Sequence, residues 1–232
     1  MTALAGYTLA FDLDGTLVDT IGDIHRSLNH VLTREGSAPA ALSDVRAWVG
    51  LGARNLLMRA FAAGGVEPDP ARLDRLTECY IAANAADITR LSTPFPGVAD
   101  ALDSLLAHGA RLCVCTNKQT DLSVRLLGAL SLEDRFAAIV GGDQPANRKP
   151  HPDHFIHAIR AAGGEPSKSL MVGDSRFDVD AARAAGAPVA VYALGYTDTA
   201  PELLGADAVF RHFDELPDLV VSLLRPQPTP RT

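Results

Sequence analysis

Apolar residues along the chain gather in short runs that stop abruptly at polar residues or glycine. Residues 7–11 end on Phe11 against Asp12, and 111–115, 137–140, 169–172 and 189–192 repeat that design. Runs of this length without polar alternation predict strands buried on both faces, as in a parallel sheet. Between them lie stretches with helical spacing: 98–108 closed by Gly109, 121–130, 153–162 closed by Gly163 and Gly164, and 178–185 closed by Gly186. A glycine just past such a run supplies the left-handed residue that ends a helix. Strand and helix therefore alternate, which predicts an α/β fold built on a doubly wound parallel sheet. Ligands of such a sheet bind beyond the carboxyl ends of its strands, at a switch in strand order.

The rhythm breaks between residues 21 and 90, where helical signals occur without a convincing strand. Spacing suits helices over 21–33 and 71–90, with Ser43 and Pro70 as helix starts; Gly64-Gly65 and Thr93-Pro94-Phe95-Pro96 are breaks. The prediction is an inserted α-helical cap over 19–92, a catalytic core made of 1–18 and 93–225, and a flexible proline-rich tail at 226–232. An insertion leaving after the first strand hangs over the strand ends, where it can exclude water and read a substrate.

Composition narrows the function classes. With 47% hydrophobic and 21% charged residues the balance is globular, so neither wholesale disorder nor a fibrous repeat is expected. A net charge of −7 without clustered Lys and Arg argues against a nucleic-acid partner, whose phosphates demand cations. The three cysteines, Cys79, Cys113 and Cys115, form an odd set without a disulfide framework and point to a reducing compartment. Cys113 and Cys115 sit in a strand-like run and read as small buried hydrophobes rather than a metal pair. No basic-then-apolar leader opens the chain, and no segment is apolar for about 18 residues, so a cytoplasmic protein without a membrane partner is expected.

Asp12 and Asp14 flank Leu13 just beyond the first strand, so in extended geometry both carboxylates reach one side of the turn. Such a pair needs a cation, and Mg2+ suits it, because that ion takes one or two carboxylates together with substrate phosphate. Gly15 lets the backbone turn closely, and its neighbours can offer amides to phosphate oxygens. Alone, Asp-x-Asp-Gly reads equally as a turn or a calcium-type loop, although the downstream calcium ligands are missing. Other strand ends change the balance. Thr116-Asn117-Lys118 presents a hydroxyl and amide donors at the mouth of a helix, suited to holding phosphate. Lys149, beside Pro150, offers a point charge to offset the carboxylates and a transferring phosphoryl group.

Asp174 occupies on its strand the place that Asp12 has on the first. If those strands are neighbours, Asp12, Asp14 and Asp174 are the expected metal ligands, with Asp12 and Asp174 sharing the ion across the two strands, and the switch point falls between them. Asp178 is either an acid behind the metal that orients its water and Lys149, or a favourable acid in a helix's first turn. Together these groups meet the needs of phosphoryl transfer through an aspartyl-phosphate. Asp12 would be the nucleophile and Asp14 the proton donor and acceptor, with Lys149 neutralising charge and Thr116 holding phosphate.

The motifs Asp12-Leu13-Asp14-Gly15-Thr16-Leu17, Thr116-Asn117, Lys149-Pro150 and Gly173-Asp174-Ser175-x-x-Asp178 occur in the order seen in the haloacid dehalogenase-like hydrolase superfamily, which the chain strongly resembles. The inserted helical region is similar to that superfamily's C1-type cap. Pro96-Gly97-Val98, Cys115-Thr116-Asn117-Lys118 and Lys149-Pro150-His151-Pro152-Asp153 resemble its phosphoglycolate phosphatase branch. The resemblance implies a Rossmann-like core and magnesium, with Asp12 as nucleophile, Asp14 as acid and base, Asp174 as metal ligand, and Thr116 and Lys149 at the phosphate. It implies a small phosphorylated metabolite as substrate, 2-phosphoglycolate first. A sugar-phosphate phosphatase or mutase, a nucleotidase and a pyrophosphatase on the same core are the alternatives. A phospho-Asp receiver module would have little use for the long insertion. The stretch 48–54 looks like the cap's specificity loop, where Arg54 either clamps a substrate carboxylate or is an exposed cation in a helix's first turn. Monomer and homodimer are equally open.

Overall fold

A computed structural model of the chain describes residues 3–224; the tail expected at 226–232 lies outside them. Strand β1 (Thr8–Phe11), buried at every position, leads through a tight turn into the two-residue strand β2 (Val18–Asp19). Helices α1 (Ile21–Arg34), α2 (Leu42–Trp48), α3 (Ala53–Ala63) and α4 (Pro70–Ala85) follow, and β3 (Thr93–Pro94) returns antiparallel to β2. Alternation then resumes with α5 (Val98–Ala107), β4 (Arg111–Cys115), α6 (Thr120–Ala129), β5 (Ala138–Val140), α7 (Pro152–Ala161), β6 (Ser169–Gly173), α8 (Arg176–Ala184), β7 (Val189–Tyr192), β8 (Ala208–Phe210) and α9 (Leu216–Leu224).

Six strands form one parallel sheet in the order β5-β4-β1-β6-β7-β8. The chain builds outward on one side of β1 and then crosses to the other, so the switch in strand order lies between β1 and β6. Phe11 pairs with both Val114 and Val172, which brings the ends of β1, β4 and β6 out at one level.

Side chains alternate across this sheet. Leu9, Phe11, Leu112, Val114 and Val172 pack on one face with Leu102 and Leu105 of α5 and Val220 of α9. Ala10, Cys113, Cys115 and Met171 pack on the other with Phe155 and Ile159 of α7 and Val179 of α8. Burial on both faces explains why the strands show no polar alternation. The two strand cysteines are packing residues: burial pushes the Cys115 thiol up to about 12, which removes it from thiolate chemistry.

The helices α1–α4 have a core of their own, with Ile24, Leu28 and Val31 of α1 against Leu57 and Phe61 of α3 and Leu73 and Leu76 of α4. Their outgoing and returning connections are tied side by side. The buried Asp23 carboxylate accepts from Leu91 N, Ser92 N and Ser92 Oγ at 2.9, 2.9 and 2.7 Å. The same tie explains why α4 stops at Ala85 rather than running to residue 90, since the chain must turn back to bring these donors to α1. The β2–β3 ribbon leaves no mark in the sequence, because two residues carry no readable period, and the three-residue β8 is not among the predicted strands either. Among the described residues no helix is long and apolar enough to cross a membrane.

Candidate active site

Beyond Phe11 the chain leaves the sheet into a charged pocket at the switch point. Asp12 N donates to Val172 O of β6 at 2.9 Å, which holds the first residue past β1 against the neighbouring strand. The Asp12 carboxylate accepts from Leu13 N at 2.7 Å and lies 3.0 Å from Lys149 Nζ. Lys149, only 1% exposed, also reaches Asp178 Oδ1 at 2.6 Å. Asp174, just past β6, accepts from Thr16 Oγ1 at 2.8 Å and from Tyr196 N at 2.7 Å. Asp12, Asp174 and Asp178 thus present oxygens within 4.8 Å of one another.

Three carboxylates around one ammonium leave a formal deficit of two positive charges in a buried space. The acids register it. Burial raises Asp12 to about 6, opposed by Lys149 and reinforced by Asp178. Burial, Asp178 and Asp12 together raise Asp174 to about 8, against its bonds from Tyr196 and Thr16. For Lys149 burial acts to lower the pKa, but Asp12 and Asp178 outweigh it and hold the ammonium charged. Oxygen donors with a charge deficit of this size fit a hard divalent cation.

Asp178 occupies both of the positions its sequence allows. It closes a capping box at the start of α8, its Oδ2 accepting from Asp174 N, Ser175 N and Ser175 Oγ at 3.3, 3.0 and 2.7 Å, while Oδ1 takes Lys149. Donors therefore engage both of its oxygens, and it aims Lys149 and the backbone of Asp174.

Asp14, expected in the metal set, has its carboxylate engaged by a lysine instead of standing among the three clustered aspartates. Lys118 Nζ holds it at 3.1 and 3.2 Å. Extended geometry does not persist beyond Asp12. Leu17 N and Val18 N both fold back onto Leu13 O at 3.0 Å, and this turn points Asp14 elsewhere. Gly15 makes the turn possible at φ 86°, and a Cβ there would sit 2.7 Å from Asp174 Oδ2.

Thr116, 1% exposed, lines the cavity under the insertion with its hydroxyl 3.3 Å from Lys118 N. Asn117, expected at phosphate, lines the same cavity and has its side-chain amide bonded to two carbonyls. Its Nδ2 donates to Gly50 O at 2.7 Å and to Lys149 O at 3.0 Å, tying the insertion's 49–53 loop to the lysine loop. Lys118 lines the cavity but is paired with Asp14. Arg54 does not enter the site; it makes an exposed ion pair with Asp74 at 3.0 Å, because the first turn of α3 faces α4 there.

Two residues at the site escaped the sequence. Tyr196, in the loop after β7, binds Asp174 through its backbone, and its hydroxyl accepts from Thr20 N and Ile21 N at 2.6 and 2.9 Å while donating to Asp19 at 2.7 Å. Backbone and side chain of one residue thereby join Asp174 to the start of α1. A signal existed in Gly195-Tyr196 following a strand end, since a tyrosine there has a polar tip to place. His154, buried in α7, accepts from Lys149 N at 3.3 Å through Nδ1 and sits 3.2 Å from Val140 O through Nε2. Burial lowers it to about 4, so it is a neutral brace.

Two openings meet at Asp12 and Asp14. One, about 60 Å³, lies under the insertion against Ile24, Leu56 and Tyr80; the other, about 330 Å³, runs past Asp174 and Tyr196.

The family model for haloacid dehalogenase-like hydrolases matches residues 9–192. A phosphoglycolate phosphatase of Caulobacter vibrioides is 44% identical over 229 residues, covering 99% of this chain and 97% of that one. One from Agrobacterium fabrum is 44% identical over 206 residues, covering 89% of this chain and 88% of that one. The crystal structure of a predicted phosphoglycolate phosphatase from Haemophilus somnus superposes with a TM-score of 0.87 at 29% identity, covering 95% of this chain and 99% of that one. That likeness extends over the sheet and over α1–α4, which stand where the C1 cap of these hydrolases stands. Carried through nearly the whole length of both partners, the similarity shows that this chain belongs to the haloacid dehalogenase-like hydrolases, in the phosphoglycolate phosphatase family.

Proposed function

We propose that the chain hydrolyses 2-phosphoglycolate to glycolate and inorganic phosphate through a phospho-Asp12 intermediate, with Mg2+ as cofactor. The convergence of Asp12, Asp174 and Asp178 on Lys149 at the switch point carries the reading. Asp12 and Asp174 would hold the cation, since Asp178 gives Oδ1 to the Lys149 ammonium and Oδ2 to three donors of the α8 capping box, whereas each Asp174 oxygen accepts a single hydrogen bond. When bound, it supplies charge that keeps both carboxylates ionised and draws electron density from the phosphoryl oxygens.

The Asp12 carboxylate attacks phosphorus, a bond forms between them, and the bond from phosphorus to the glycolate oxygen breaks. Asp14 must enter this step protonated, and it gives that proton to the leaving oxygen and becomes a carboxylate. An anionic phosphate arriving beside Lys118 competes for the cation that holds Asp14, freeing one of its oxygens for this step. In the second half Asp14 takes a proton from water, which attacks phosphorus and breaks its bond to Asp12. Lys149 remains an ammonium throughout and acts as a fixed charge, with the Thr116 hydroxyl a donor to the phosphoryl group. The 49–53 loop, tied to Asn117, shields this space from water. Free Cys79, Cys113 and Cys115 fit a reducing, cytoplasmic setting.

Phosphate release would be measured with and without Mg2+ across 2-phosphoglycolate, glucose phosphates, nucleotides and pyrophosphate. The first should be fastest, and Asp12→Asn should lose at least about a thousandfold in kcat while remaining folded. A faster nucleotide or sugar phosphate would refute the substrate assignment, and an active Asp12→Asn the nucleophile.

A further inference from the structure

Both lysines at the catalytic centre already have carboxylate partners, Lys118 with Asp14 and Lys149 with Asp12 and Asp178. The larger opening brings two more cations to the same space, Arg59 from α3 and Arg176 from the first position of α8. Among the described residues neither makes an ion pair; other arginines, such as Arg46 and Arg148, are also without one, but Arg59 and Arg176 are the arginines that line this opening. Among the described residues, the one side-chain hydrogen bond of Arg59 is a long 3.4 Å contact to Ala47 O, itself on the cavity wall. Asp198 lines the same cavity, but its carboxylate accepts from Thr199 Oγ1 rather than from either guanidinium.

We propose that Arg59 and Arg176 clamp the substrate's second anionic group, the carboxylate remote from the phosphate. The proposal rests on the 2-phosphoglycolate reading above and replaces Arg54 in the role the sequence suggested for it. A substrate charged at both ends enters a cavity rich in acids. Lys149 and the cation site meet its phosphate, and the far end needs cations of its own. A guanidinium matches a carboxylate with two parallel hydrogen bonds. Because Arg59 belongs to the helical insertion and Arg176 to the sheet domain, a carboxylate held between them draws the two together over Asp12. Binding of the remote anion is thereby coupled to closure around the reacting phosphate. A neutral-tailed phosphomonoester would leave both guanidiniums unpartnered on closing, which discriminates against it.

Arg59→Gln, Arg176→Gln, the double variant and Arg59→Lys would be compared on 2-phosphoglycolate and ethyl phosphate by steady-state kinetics, with melting temperature reporting folding. Arg59 is half-buried and Arg176 exposed, so neither change opens the core. In each Gln variant KM for 2-phosphoglycolate should rise about ten- to a hundredfold more than KM for ethyl phosphate. The double variant should lose the preference, and Arg59→Lys should keep part of it, having the charge without the fork. Equal changes on both substrates, or none, would overturn the clamp. If the unaltered enzyme shows no preference for 2-phosphoglycolate over ethyl phosphate, the substrate reading itself falls and takes the clamp with it.

Discussion

In the sheet domain Asp12, Asp174, Asp178 and Lys149 are buried and bonded across three loops, whereas in the helical insertion the pairs Arg54–Asp74 and Arg72–Glu35 lie on the outside. The insertion turns Ile24, Leu56, Tyr80 and Ile81 toward the cavity instead. Charge buried in a rigid frame has a defined geometry and strong fields, as phosphoryl transfer requires. Charge on a helix surface is screened by water and contributes little, so the insertion acts through shape, closure and the few cations that face inward. One region is built for reactivity and the other for access and choice.

The severest way to break this contrast is to unbalance the buried cluster. Lys149→Met leaves Asp12 and Asp178 without their shared cation and should cost about 3–5 kcal/mol of stability, read by chemical denaturation, along with turnover. A loss below about 1 kcal/mol would mean that the cluster does not depend on this lysine.

Next in size is the response to pH and metal. Asp12 and Asp174 ionise near 3.8 when unfolded but at about 6 and about 8 in the fold, so the native state binds more protons between those limits. Their contribution to stability is complete below about pH 4 and is lost as pH rises through about 8. The metal-free protein should therefore melt at falling temperature from about pH 5 to about pH 8 on account of these groups. Magnesium at a hundredfold over its Kd should restore about 2.7 kcal/mol, with tighter binding at the higher pH because protons compete for the same oxygens. Scanning calorimetry at both pH values checks this, and a metal effect independent of pH would count against the cluster as the binding site.

The smallest expected effect sharpens the other side of the comparison. Arg54→Ala removes a surface pair and should change stability by less than about 0.5 kcal/mol, with the preference for 2-phosphoglycolate over ethyl phosphate intact. A lost preference would return Arg54 to the site and displace the Arg59–Arg176 clamp.

Much of the molecule was legible in one dimension. The fully buried strands announced themselves as unbroken apolar runs, and the two acids proposed to share the cation follow such runs directly, as Asp12 follows Phe11 and Asp174 follows Gly173. Short-range geometry served as far as the backbone stayed extended. It could not foresee the turn onto Leu13 O that redirects the Asp14 carboxylate, nor the two carbonyls distant in sequence that engage the Asn117 amide. Arg54 and Arg59 lie on the same short helix, and nothing local says which faces the cavity and which meets Asp74.

By itself the sequence determined the alternation of strand and helix, the inserted helices and the residues available at the strand ends, because these follow from local period and from where apolar runs stop. Only the tertiary structure decided that β6 lies beside β1, that Asp178 rather than Asp14 completes the aspartate cluster, and that Tyr196 joins Asp174 to the start of α1. Those outcomes depend on pairings between residues up to more than a hundred positions apart, such as Asp14 with Lys118 at a separation of 104, and on which partner reaches each buried charge. Burial makes that choice binding, since a charge removed from water must find its partner there or give up its ionisation.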